Sequence, residues 1–166
     1  MQKLKLRLLT LFMFCTATII NAQSLPVKNI ADRITNAYIG IKNALATDDA
    51  SLAQIKAKDM LNVLSADLEK DLKPEQKKLL TAYIEKLKFD SRHISESAAI
   101  EHQREHFASL SKNVFTVLKG LKMNTLTVFK QYCPMKKAIW VSETATIKNP
   151  YYGKEMLDCG STQETL

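Results

Sequence analysis

The sequence predicts a mainly α protein, an antiparallel bundle of about four helices with a C-terminal tail of irregular chain or short strands packed on it. Apolar residues recur at steps of three and four in four successive segments, which is the one-face rhythm of a helix. The breaks between those segments carry Asp, Pro and Gly at positions that start or stop helices. Beyond Gly120 the composition turns to Thr, Val and aromatic residues, which suit a pleated strand better than a helix.

The chain opens with Lys3, Lys5 and Arg7 ahead of an apolar run from Leu8 to Ile20 that closes on Asn21-Ala22. This reads as a secretory signal peptide over residues 1–22, its apolar run shorter than the roughly 20 residues that span a bilayer. Phe14 before Cys15 argues against lipidation there. The expected product is a periplasmic protein without a transmembrane anchor, a single helical-bundle domain over 23–166 in which 125–166 is a Cys/Met-containing tail. Three of the 24 Lys and Arg residues fall in the leader, which leaves 21 against 17 Asp and Glu. So small an excess, with no Arg cluster and no interleaved aromatics, argues against nucleic acid as a partner.

Ile30, Ile34, Tyr38, Ile41 and Leu45 mark a first helix within Val27–Leu45. Thr47-Asp48-Asp49 supplies N-cap residues for a second, carried by Leu52, Ile55, Met60, Val63 and Leu64 to about Leu68. Lys73-Pro74-Glu75 sets a proline at a first helical position, and Leu79, Leu80, Tyr83, Ile84 and Leu87 continue to about Lys88. The polar stretch Ser91 to Ser97 is a turn or the start of the fourth helix, which carries Ile100, Phe107, Leu110, Val114, Val117 and Leu118 and stops at Gly120. Thr125 to Tyr132 and Ile139 to Ser142 are the candidate strands.

The tail holds the chemistry-bearing residues. Cys133 and Cys159 are the only cysteines after the leader, with Met135 and Met156 close by. In an oxidising compartment two cysteines admit a disulfide, which would stabilise the tail by about 3–4 kcal/mol. They equally admit a soft-metal site, because thiolate and thioether both suit copper(I). On a strand Cys133 and Met135 would point to one side, and Met156 and Cys159 are spaced for one helical turn. His102 and His106 share a face of the fourth helix, His106 at the edge of the apolar stripe and His102 further toward solvent; His93 has no partner at ligand spacing. Asn149-Pro150-Tyr151-Tyr152-Gly153 reads as a turn, and Trp140 as an anchor between tail and bundle. Cys133 with His106 could imitate a nucleophile and base, but no orienting partner or glycine-rich oxyanion segment accompanies them, so the expectation is no enzyme.

The tail, with Arg104-Glu105-His106-Phe107 before it, resembles an uncharacterised family of exported Gram-negative proteins, domain of unknown function 3347. The resemblance rests on Gln131-Tyr132-Cys133-Pro134-Met135, Trp140-Val141-Ser142, Asn149 to Gly153 and Met156 to Gly160, roughly the final half of the chain. Lys136 departs from it, placing a charge where similar proteins carry a small residue. Similar domains occur free or attached to adaptors of heavy-metal efflux pumps. The resemblance therefore implies copper handling, with Cys133, Met135, Met156, Cys159 and His106 binding metal, copper(I) as the bound ion and an efflux adaptor as partner. The alternative is a non-catalytic interaction module stapled by Cys133–Cys159.

Overall fold

The computed structural model describes residues 29–166 apart from Glu69 and Asp71. The expected signal peptide and the start of helix one at Val27 lie outside the described residues. Four helices come first, α1 (Ile30–Ala46), α2 (Ala50–Ser65), α3 (Pro74–Glu96) and α4 (Ile100–Leu121). Each packs on the next and α1 packs back on α4, the antiparallel bundle expected. Asn29 and Asp49 accept the N–H groups of Asp32 and Leu52 through their side chains, at 3.0 and 2.8 Å, and so cap α1 and α2. Pro74 opens α3, where Gln76 Oε1 accepts the Lys73 N–H.

Two boundaries differ from the expectation. Helix α3 runs two turns past Lys88, because Leu87, Ser91 and Ile94 continue its buried face and Ser91 to Glu96 finishes that helix. Gly120 does not stop α4. It is helical, a site where an added Cβ would meet a Leu79 methyl carbon at 2.3 Å, so it permits close approach of α3. The stop is Lys122, left-handed at φ 52.

The tail forms an antiparallel sheet ordered β2-β1-β3, from β1 (Phe129–Cys133), β2 (Ala138–Ser142) and β3 (Ser161–Thr165). The first two match the candidate strands; β3, polar and largely exposed, had no apolar alternation to announce it. Trp140 and Val141 of β2 are fully buried against the bundle, as the anchor reading of Trp140 required. Tyr38 stacks on Phe107 at 5.1 Å, Phe107 meets Tyr151 at 5.8 Å, and Tyr151 meets Trp140 edge-on at 6.1 Å. This aromatic column joins α1, α4 and the tail, and each such ring contributes on the order of 1.5–3 kcal/mol by burial.

Polar contacts fix the register of tail on bundle. The Tyr38 hydroxyl lies 2.6 Å from Ser111 Oγ and accepts the Val141 N–H at 3.1 Å. Lys42, buried on α1, reaches Glu143 at 2.7 Å. Arg104 donates to the Pro150 carbonyl and to Asp48, tying the Asn-Pro-Tyr turn to the α1–α2 connection. Gly153 closes the junction at φ 53, with Asp48 Oδ1 only 1.7 Å from where a Cβ would stand.

Candidate metal centre

The last turns of α3 and the first turns of α4 lie side by side across the short connection Ser97–Ala99. His93 stands four residues before that connection and His102 three after it, so the helical hairpin brings them level. His106 follows one turn later on the same face. The ring nitrogens of His93, His102 and His106 can all lie within 4.8 Å of one another. His93 and His106 are stacked at 4.3 Å, and His102 meets both edge-on, at 6.1 and 4.8 Å.

Asp90, buried one turn before His93, places Oδ1 3.1 Å from His106 Nδ1. A carboxylate there accepts from Nδ1–H, fixes the tautomer and leaves Nε2 as the free ligand atom. Phe89 covers the other side, its ring 4.4 Å from His93 and 5.7 Å from His106. His102 remains exposed, and His93 and His106 are half-buried. Three nitrogens about 2.1 Å from a tetrahedral ion lie about 3.4 Å apart, so side-chain rotation of roughly an ångström would close this set on a metal. Among the described residues this is the one group of three or more His, Cys, Asp or Glu side chains placed to share an ion.

The expected sulfur residues sit elsewhere. Cys133 ends β1 fully buried, accepting the Asn149 side-chain N–H at 3.2 Å and the Lys136 N–H at 3.4 Å. Met135 lies in the β1–β2 turn and is 61% exposed, so it does not share a side with Cys133; the strand ends at Cys133, two residues short of Met135. Met156 caps a short 3-10 turn, and its carbonyl accepts the Cys159 N–H at 3.1 Å, a tight turn in place of a helical one. Cys133 and Cys159 are free thiols. Asn149 nevertheless donates to both Cys133 Sγ and the Cys159 carbonyl, the latter at 2.8 Å, so one amide gathers the two cysteine-bearing segments. His106 thus joins two histidines rather than the sulfur residues in its described contacts.

His93 was missed because helix three was expected to end before it. The signal was its near-equal spacing from the Ser97–Ala99 connection.

Comparison with protein families gives a match to the protein of unknown function DUF3347 over residues 34–125, just over half of the chain. The chain belongs to the DUF3347 family. The DUF3347 match spans the bundle from within α1 to just past α4 and includes all three histidines and Asp90. It ends before Cys133, so of the residues that carried the resemblance Arg104 to Phe107 fall inside the match and the tail segments from Gln131 onward fall outside it. No curated protein and no solved structure matches the chain.

Proposed function

We propose that this DUF3347 protein is an exported, non-catalytic metal-binding protein that captures a first-row transition ion, copper foremost, and passes it to an envelope partner such as a heavy-metal efflux adaptor. The observation that carries the reading is the convergence of His93, His102 and His106 from two helices, with Asp90 orienting His106. Imidazole ligands suit copper and zinc, and copper(II) outranks its neighbours for a given nitrogen site. Three protein ligands on an accessible surface leave a coordination position open, which suits transfer more than permanent storage.

The deciding experiment is titration of residues 23–166 with copper(II) and with zinc, and separately with copper(I) under anaerobic reducing conditions. The expected result is one ion per chain, with binding lost in His102→Ala/His106→Ala and kept in Cys133→Ser/Cys159→Ser. Retained affinity in the double histidine variant would overturn the assignment.

The Asn149 bridge favours a second reading. Cys133 and Cys159, with Met156 and Met135, would hold copper(I) in the tail after a local rearrangement that frees Cys133. The double cysteine variant then loses copper(I) binding while zinc binding is unchanged.

A further inference from the structure

We propose that the groove between α4 and the β1–β2 hairpin binds an acidic peptide segment, carrying carboxylates beside an apolar residue, of a partner protein. The groove, about 620 Å³, has Phe115, Ala138 and Ile139 on its floor and the cations Lys112, Lys130 and Lys137 around it. Among the described residues none of these three lysines makes an ion pair with an acid. Lys130 lies over the Phe115 ring at 5.0 Å, and Glu164, its neighbour across β1 and β3, is held by Lys119. Ser109 adds a hydroxyl on the α4 wall, whereas the Thr116 hydroxyl donates to the Lys112 carbonyl at 2.9 Å and offers an incoming group only its oxygen.

The arrangement discriminates by charge and by shape. Three ammonium groups without an acid partner around an apolar floor favour an occupant with complementary carboxylates and one side chain to bury. A flat anionic membrane fits a protruding basic face better than a floor on which Phe115 is 92% covered. A chain with so modest an overall excess of Lys and Arg concentrates charge here without becoming a general polyanion binder.

The groove continues toward the histidines. A second hollow, about 490 Å³, shares Ser109 and Lys112 with the first and is walled by Phe89 and Asp90. Its acids are already engaged, Glu85 by Lys88 and Asp90 by His106. A segment lying in the groove therefore reaches the edge of the triad, yet the docking chemistry stands without a metal.

The test uses metal-free protein, residues 23–166, and a panel of hexapeptides combining Asp or Glu with Leu or Phe, alongside the same peptides with Gln and Asn. Binding is followed by amide chemical shifts and by fluorescence anisotropy. The expected result is that acidic members bind, shift the Ser109, Phe115, Thr116 and Ile139 amides, and weaken with salt. Lys112→Glu/Lys130→Glu/Lys137→Glu should lower affinity at least about tenfold with an unchanged circular dichroism spectrum, while Lys58→Glu, an exposed lysine of α2 outside the groove, should bind as the parent does. Absence of binding across the panel would overturn the proposal, as would equal binding of the neutral peptides. So would binding only to phosphatidylserine vesicles. Because no metal is present, failure here is distinct from failure of the triad as a metal site.

Discussion

Replacing His102 with alanine separates a metal centre from an ordinary helix surface. Its side chain is 44% exposed, its ring contacts are with His93 and His106, and its approach to Glu105 at 3.8 Å is solvent-exposed, so metal-free stability should change by no more than about 0.5 kcal/mol. An ion that binds the folded state alone stabilises it by about 2.7 kcal/mol at 100 times the dissociation constant. At roughly 2–4 °C per kcal/mol for a chain of this size, that is a rise in melting temperature of about 8 °C. Loss of one of three ligands should weaken binding by at least about 100-fold, which returns the same metal concentration to the new dissociation constant. There the stabilisation is only about 0.4 kcal/mol, a rise of about 1 °C. Thermal melts of parent and His102→Ala, with chelator and with zinc, read both numbers. Equal metal-induced shifts in the two proteins would refute the reasoning, because His102 would then not be a ligand.

Asp90→Asn should weaken metal binding by about 10–100-fold while all three histidines remain, measured by competition with a chromogenic chelator. Gly153→Ala should destabilise the fold by about 2–4 kcal/mol in urea denaturation, since it adds left-handed strain and drives a methyl into the Asp48–Arg104 pair. Tyr38→Phe should cost about 1–3 kcal/mol by the same measurement, because the buried Val141 N–H and Ser111 hydroxyl lose their partner. On acidification, desolvation raises Asp48, but the Lys154 N–H and the Arg104 guanidinium outweigh it and hold the carboxyl below its ordinary value of 3.8. A lowered carboxyl contributes stability that is fully present above that ordinary value and is lost as pH falls through the folded one. Asp48→Asn should therefore flatten the acid limb of a stability–pH curve, and an unchanged slope would exclude this contribution.

The bundle was legible because its signals are local. Ile34, Tyr38, Ile41 and Leu45 announce a helix without knowledge of what they touch, and all four are fully buried in the structure. Helix α3 was read too short because its last turns carry Asp90, Ser91, His93 and Ser95, polar types that look like a loop and become intelligible only against α4. Strand β3 escaped for the corresponding reason in a sheet: Ser161 to Thr165 owe their conformation to pairing with β1, not to a buried face. The histidine triad needed both the true end of α3 and the hairpin geometry, so sequence showed His106 and His102 as neighbours but not their third member.

The residues that made the tail conspicuous are largely explained by how it fastens to the bundle. Asn149 forms the turn by accepting the Tyr151 N–H at 2.9 Å, Pro150 offers its carbonyl to Arg104, and Gly153 leaves room for Asp48. Tyr151 and Trp140 complete the aromatic column, and Cys133 is buried beneath Asn149. Each has a structural task that substitution would disturb, so their special identities do not by themselves require a ligand. His93 and His102 are different. Neither completes the core, His102 is exposed, and three imidazoles crowded on one surface offer the fold little that apolar residues would not offer better. In this molecule the side chains without a packing reason are the better guide to chemistry, and they lie on the α3–α4 hairpin.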